Sequence, residues 1–206
     1  MASTCVTCGA AFTVPARVRE RYPGWTPKQC RACHGGAPGG AGGGAVEENL
    51  PLAEVLAKFT GGPQDGVFTD GSANPNPGPG GWGAVYVDGG EVVDQAHGHD
   101  PRTTNNRMEL TALIAGYDLV PEGVVTTVYT DSRLCVDTIT KWAPVWERRG
   151  WTRKTGPIAN LDLVRELYER ARARPELRLE WIAAHAGARW NEYADSLSTA
   201  YRRAEL

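Results

Sequence analysis

The sequence predicts an α/β fold, a mixed five-stranded sheet flanked by helices, with a small cysteine-rich module ahead of it. Three observations predict it. Residues from about 66 to 99 read as three β-rich runs in succession, after which helical and β-branched segments alternate. The first and fourth of the β-rich runs each close on Thr-Asp and a small residue, at Asp70 and Asp131. Between the cysteine-rich head and this body lies GGAPGGAGGGA, residues 35–45, in which no side chain is larger than proline, the composition of a flexible linker.

A chain of 206 residues with 41% hydrophobic content can bury one full core and carry one small accessory module. The amino terminus lacks the apolar run of a signal peptide, and no stretch approaches the length of a bilayer span, so a cytoplasmic protein with no membrane partner is expected. Nothing in the chain demands a dimer, and a monomer is expected. Residues 1–34 hold five Lys/Arg against one Glu, whereas the rest holds 17 against 23, so a basic head precedes an acidic body.

In the head, Cys5-Val6-Thr7-Cys8 and Cys30-Arg31-Ala32-Cys33 are two CxxC pairs separated by 21 residues. Each pair can turn two thiolates onto one ion, and the spacing lets a small hairpin close a tetrahedral Cys₄ site for one structural Zn²⁺. Disulfides are disfavoured in a reducing compartment, and a redox role is disfavoured because neither pair sits in a βαβ context. So short a segment cannot build a core alone, so metal binding would supply its folding free energy. CVTCGAAF, a following Tyr, a Pro-containing turn and QCRAC resemble the small zinc-ribbon modules attached to bacterial and archaeal proteins. His34 is a possible substitute ligand. Arg17, Arg19, Arg21, Lys28 and Arg31 interleave with Phe12, Tyr22 and Trp25, which fits phosphate contacts and base stacking. Docking of a protein partner and a purely structural cap remain as alternatives. The domains expected are a zinc-ribbon-like module at 1–34, a Gly-rich linker at 35–49 and a catalytic body at 50–206.

The body begins with a short helix, capped by Asn49, with Leu52, Val55, Leu56 and Phe59 on one face. Val67-Phe68-Thr69-Asp70 is the first strand, expected to end at its aspartate. GGWGAVYVDGG and EVVDQAHGH are the next two strands, joined by the hairpin signal Asp88-Gly89-Gly90. A helix follows from about Asn106 to Leu119, then a strand from Val124 to Thr130, then a helix to about Thr140. Residues 157–173 form another helix, Leu177 to Ile182 a fifth strand, and Trp190 to Arg203 the last helix.

If a crossover makes the first and fourth strands parallel neighbours, Asp70 and Asp131 emerge side by side at one sheet edge, where ligands bind in open α/β sheets. Glu109 lies on the crossover helix among Met108, Ala112, Leu113 and Gly116, and Asp195 on the last helix beside Ala194 and Leu197. Four carboxylates gathered this way repel one another unless cations neutralise them. Hard oxygen ligands favour Mg²⁺ or Mn²⁺, and a pair of such ions about 3.5–4 Å apart serves in-line displacement at phosphodiesters: one activates water, the other stabilises the leaving 3′-oxygen.

FTDGSANPNPGPGGWGAV, TTNNRMEL, YTDSRLCVDTITKW, ERRGW, WIAAHAG and NEYADSL resemble, in order and spacing, type 1 ribonuclease H over residues 65–204. The resemblance implies the ribonuclease H-like fold and an endonuclease that cuts the RNA strand of RNA/DNA hybrids, leaving 5′-phosphate and 3′-hydroxyl ends. It implies Asp70, Glu109, Asp131 and Asp195 as the catalytic metal-binding acids, with Asp70 between both ions, and His185 in the His-Ala-Gly loop as a proton shuttle, a task suited to imidazole. It aligns Gly71, Asn76, Asn105, Asn106 and Arg133 with hybrid-contacting positions, Thr104 with a DNA-phosphate contact and Asn191 with an active-site polar residue. Gly71 is expected to leave a gap through which the RNA backbone approaches. Arg133 departs from the pattern, since many relatives carry Gln there, though Arg can still reach the minor groove.

Residues 141–154, KWAPVWERRGWTRK, carry five basic side chains and three tryptophans between the third and fourth helices. They read as a positive ridge for the DNA strand, with Arg148 and Arg149 toward phosphates and Trp142 and Trp146 flanking sugars; the alternative is a tryptophan-pinned hairpin with solvated charges. Cys135 reads as buried filler, and His97 and His99 as solvent-facing. No Ser/His/Asp arrangement or phosphate-cradling loop is present. The competing classes are a non-catalytic hybrid-binding adaptor and a nuclease with broader activity on duplex RNA.

Overall fold

A computed structural model describes residues 2–5, 11–13 and 49–203. The chain divides into two compact units, Met1–Glu48 and Asn49–Leu206. In the first, β1 (Ala2–Thr4) and β2 (Ala11–Thr13) pair antiparallel, with Ser3 opposite Phe12, and Cys5 is buried directly after β1. Cys8, Cys30 and Cys33, the basic and aromatic side chains of the head and the glycine-rich run 35–45 lie outside the described residues.

The second unit opens with α1 (Leu52–Lys58), followed by β3 (Gly66–Ala73), β4 (Gly78–Asp88), β5 (Glu91–Thr103) and α2 (Asn105–Leu119). Then come β6 (Thr126–Thr130), α3 (Arg133–Asp137), α4 (Ala143–Arg148), α5 (Leu161–Ala173), β7 (Leu177–Trp181) and α6 (Arg189–Thr199). The strands form one mixed sheet in the order β5-β4-β3-β6-β7. β3, β4 and β5 are antiparallel neighbours, while β6 runs parallel to both β3 and β7. This is the architecture expected from the succession of β-rich runs.

Alternation along β3 sorts its residues between two cores. Val67 belongs to the cluster built with Leu110, Leu113 and Tyr117 of α2 and Leu167 of α5. Phe68 belongs to the cluster on the opposite face, with Val55 of α1 and Trp190, Ala194 and Leu197 of α6. Both helical layers come unusually close to the sheet. A Cβ on Gly71 would stand 2.2 Å from the carbonyl carbon of Met108 and 2.3 Å from the nitrogen of Glu109, so the backbone of α2 occupies that space. Across the ladder, a Cβ on Gly83 would stand 2.4 Å from the Leu197 Cβ and 2.6 Å from the Ala194 carbonyl oxygen, so α6 occupies the equivalent space on the other face. Glycine is disfavoured inside strands, and here it is what permits backbone-to-backbone approach.

Several boundaries differ from the sequence expectation. β3 runs on past Asp70 because Gly71, Ser72 and Ala73 still pair with Trp82, Gly81 and Gly80 of β4; only the parallel ladder to β6 stops earlier, at Thr69–Thr130. Gly71 therefore makes room for α2 and is not an open gap. Asn49 does not cap α1, whose cap position is Pro51 without a side-chain bond; its Oδ1 instead accepts from the Arg203 guanidinium. The helix expected to end near Thr140 continues through a π-turn, Thr138–Trp142, into α4, with Pro144 in the first turn of α4. Most of the supposed ridge is thus helical, and Trp146 and Trp151 pack on the core while Trp142 stays 40% exposed. Residues 157–160 precede α5, with Asn160 left-handed at φ 52°. His97 and His99 are exposed, as expected.

Gly71→Ala should destabilise the chain by about 3 kcal/mol, the upper range for forced overpacking. Urea unfolding would read this as a lower midpoint at unchanged slope. A loss of less than about 0.5 kcal/mol would mean that α2 can retreat from β3.

Candidate active site

The end of the parallel ladder is where the acids gather. Thr69 and Thr130 are its last register pair, and each is followed by an aspartate. Asp70 is only 9% exposed and shares the α6 face of the sheet with Phe68. Ser198 reaches it from α6, with Oγ 2.7 Å from Asp70 Oδ2 and 2.9 Å from the Asp195 carbonyl oxygen. The charged carboxylate is the stronger acceptor of that single hydroxyl proton.

Glu109 arrives one turn into α2, held against β3 by the contact at Gly71. Ser132 Oγ donates to its Oε2 at 2.6 Å and accepts from the Cys135 backbone N–H at 3.4 Å as the cap of α3. One serine therefore starts a helix and fixes a carboxylate. Burial raises the pKa of Glu109 most, Ser132 opposes, and the nearby Asp70 charge raises it further. Asp131 is raised by burial first, with Asn191 donating a hydrogen bond that opposes, Glu109 adding repulsion and His185 offsetting it. These interactions connect Asp70, Glu109, Asp131 and His185 into one electrostatic cluster.

Asp195, half-buried on α6, completes the set. Single donor atoms of His185, Glu192 and Asp195 all lie within 4.8 Å of one another. His185 sits in the loop 182–188 at φ 47° and is exposed. Glu192, 9% exposed, fastens that loop: its Oε1 accepts from the Gly187 N–H at 3.3 Å, and its Oε2 is 3.9 Å from His185 Nδ1.

The remaining expected residues fall into two groups. Thr104 caps α2, its Oγ1 accepting from the Arg107 N–H at 3.4 Å. Asn105 Oδ1 accepts from the Ala73 N–H at 2.7 Å, and Asn76 Oδ1 accepts from the Asn105 N–H at 3.3 Å, so these two asparagines tie the β3–β4 turn to the start of α2. Asn191 is 2% exposed, and its Oδ1 has no partner among the described residues. These positions build the site from within. Asn106, Arg133, Arg148 and Arg149, by contrast, are exposed. The Trp142 and Trp146 rings lie 6.0 Å apart and line a cavity of about 100 Å³ with Asn106, Cys135 and Asn160.

Sequence reasoning missed Ser132, Ser198, Glu192 and Asn160. Ser132 was within reach, because Asp-Ser between a strand and a helix is a capping signal. Ser198 follows Asp195 at i+3 and so shares its helical face. Nothing local marked Glu192 or Asn160. Cys135 is buried as expected, but its Sγ is also 3.7 Å from Glu109 Oε2, and burial with that neighbour pushes the thiol up to about 12, which keeps it protonated and inert.

A family model described as RNase H matches residues 63–203. The Ribonuclease H of Methylorubrum extorquens (strain PA1) is 44% identical over 140 residues, 68% of this chain and 60% of that protein. The Ribonuclease H of Granulibacter bethesdensis (strain ATCC BAA-1260 / CGDNIH1) is 44% identical over 137 residues, 66% of this chain and 90% of that protein. Among solved structures, LC9-RNase H1, described as a type 1 RNase H with the type 2 active-site motif, is 33% identical, with a TM-score of 0.55 and coverage of 68% of this chain and 74% of that one. The PFV RNase H domain, 22% identical, has a TM-score of 0.57 and coverage of 68% and 94%, a likeness of fold.

Ionising Glu109 opposes folding of the metal-free chain, since burial and Asp70 hold its pKa above the unfolded value. The resulting penalty is absent below the unfolded-state pKa of about 4.3 and complete above the raised folded value. Glu109→Gln should therefore raise the thermal midpoint in EDTA at pH 7 by a few degrees, and the gain should vanish toward pH 4. A midpoint at or below the parent's at pH 7 would contradict this.

Proposed function

The chain belongs to the ribonuclease H family, and from that membership we propose that it is a divalent-metal-dependent endonuclease hydrolysing the RNA strand of RNA/DNA hybrids. The observation that supports the reading is the placement of Asp70 and Asp131 directly after the last pair of the β3–β6 ladder, with Glu109 close enough to feel the Asp70 charge and to repel Asp131, and with burial raising the pKa of both Glu109 and Asp131. A cluster that repels itself in this way, composed of oxygen donors, fits hard cations, Mg²⁺ or Mn²⁺, and two ions are proposed, held by Asp70, Glu109, Asp131 and Asp195. When bound, such ions supply activation of the attacking water and charge stabilisation on the leaving 3′-oxygen.

The chain's own residues would do the rest. Ser198, Ser132 and Asn191 hold three of the carboxylates in fixed orientation, which limits reorganisation during reaction. His185 is held within reach of the acid cluster by the loop that Glu192 fastens, where its imidazole can take and return a proton. Asn76, Thr104 and Asn105 shape the turn beside Glu109, and Asn106 and Arg133, both exposed, are proposed to face the hybrid, whose wide minor groove displays the 2′-hydroxyls that distinguish RNA. Arg148 and Arg149, exposed at the end of α4, are proposed to meet DNA phosphates, with Trp142 and Trp146 flanking sugars. The family resemblance supplies the polarity, 5′-phosphate and 3′-hydroxyl ends.

For the head, the reading is a module at residues 1–34 with one Zn²⁺ on Cys5, Cys8, Cys30 and Cys33, joined through 35–49 to the catalytic domain at 50–206 and assisting nucleic-acid binding. It rests on the two CxxC pairs and the basic, aromatic composition. A monomer acting in the cytoplasm is proposed with it, as the sequence leads one to expect.

Asp131→Asn should lower hybrid cleavage in Mg²⁺ on the order of 10³-fold while circular dichroism stays that of the parent. Full cleavage by this variant would sink the assignment. A gel panel of hybrid, duplex RNA and duplex DNA should give cutting of the hybrid alone; cutting of duplex RNA would point to the broader nuclease, and binding without cutting to an adaptor. Deleting residues 1–45 should weaken hybrid binding and its salt dependence but spare chemistry, with loss of about one zinc per chain by metal analysis. Unchanged affinity and salt slope would argue for partner docking by the head.

A further inference from the structure

Next to the acids, the first residue of α3 and the last of β7 form a pair. The Arg133 guanidinium carbon lies 4.0 Å from the centroid of the Trp181 ring. Trp181 stands opposite Thr130 in the β6–β7 register, and its indole N–H donates to the Asp131 carbonyl oxygen at 2.9 Å. The ring is thus pinned at its edge to the residue that carries a catalytic carboxylate, yet it remains 42% exposed. Arg133 is exposed as well, and among the described residues its guanidinium has no hydrogen-bond acceptor. Stacking on an aromatic face fixes a guanidinium in place while leaving its in-plane N–H groups free to bind.

We propose that the Arg133–Trp181 pair reads the minor groove of a bound hybrid and selects against the exocyclic amino group of guanine there, biasing cleavage toward sites with an A·T or A·U pair at the contacted position. The inference rests on the hybrid-cleaving function proposed above. In the minor groove an A·T or A·U pair presents only acceptors, whereas a G·C pair adds the guanine N2 amine, a donor. A guanidinium has five donors and no acceptor. It satisfies the first pattern, but against the second it sets donor against donor at the amine, which crowds the guanidinium away from the neighbouring acceptors. An amide side chain at the same place offers a carbonyl oxygen to the amine and would not discriminate in this way. Arg133 is the group that touches substrate, and Trp181 is its positioning residue.

The test is cleavage of a sequence-randomised RNA/DNA hybrid by the full-length protein in Mg²⁺, with products sequenced and the profile at each offset from the cut normalised to total product. G·C pairs should be depleted roughly fivefold or more at one fixed offset. Replacing that guanine by hypoxanthine, which lacks the amine, should restore cutting. Arg133→Gln should flatten the profile at that offset. Trp181→Leu should flatten it too, whereas Trp181→Phe, which keeps an aromatic face, should retain it. A profile that is the same for the parent and Arg133→Gln, or a hypoxanthine substrate cut no better than guanine, would overturn the proposal and leave Arg133 as a sequence-independent phosphate contact. If Trp181→Leu does not fold, Arg133→Gln and hypoxanthine decide alone. Failure to cut any hybrid would instead overturn the function on which the proposal rests.

Discussion

The backbone of α2 lies where a Cβ on Gly71 would be, and α6 lies where a Cβ on Gly83 would be. Those two close approaches, on opposite faces of adjacent strands, set the distance from each helix to the sheet. They decide where Glu109 and Asp195 sit relative to Asp70, which is the register partner of Gly83. A carboxyl side chain is short, so a helix standing a methyl group further from the strand would leave its acid out of reach of the others. The glycines weaken the strands they interrupt, and the site depends on that weakness being tolerated.

Close approach creates the second constraint, mutual repulsion. Asp70 raises the pKa of Glu109, and Glu109 raises that of Asp131, on top of the cost of burial. The fold offsets this with neutral donors: Ser198 on Asp70, Ser132 on Glu109, Asn191 on Asp131. Hydroxyls and amides can hold a carboxylate in one orientation without neutralising its charge, which preserves the attraction for cations that a lysine or arginine partner would have removed. Arg203 lies close enough to Asp195 to interact with its charge, and two further ion pairs serve the fold. Arg107 pairs with Asp162 at 2.9 Å and Arg170 with Asp118 at 3.0 Å, and both pairs join α2 to α5.

The loop carrying His185 and the pair formed by Arg133 and Trp181 stand at the margin of this rigid centre. Each is anchored by one hydrogen bond to an element that also carries an acid, Glu192 of α6 to the Gly187 N–H and Trp181 of β7 to the Asp131 carbonyl. Exposed groups are thereby indexed to buried ones. The proposed proton carrier and the proposed groove-reading cation are thus held at the surface while the carboxylates stay in place.

The sequence by itself determined the order of strands and helices and the placing of Asp70 beside Asp131 at the end of parallel strands, and it nominated the four acids proposed as metal ligands. Those features are written in local patterns: β-branched runs ending in Thr-Asp, and acids among apolar positions on helices. The cysteine pattern of the head was equally local, and of its four cysteines only Cys5 falls among the described residues. Only the tertiary structure decided that Gly71 receives a helix and not a substrate, that Asn49 holds Arg203 instead of capping α1, and that residues 138–148 are helical. It alone located Ser198, Glu192 and Trp181 against the acids and the His185 loop. The physical reason is distance along the chain. Ser198 meets Asp70 across 128 residues and Trp181 meets Asp131 across 50, and no periodicity within a segment records which residue will face it from another.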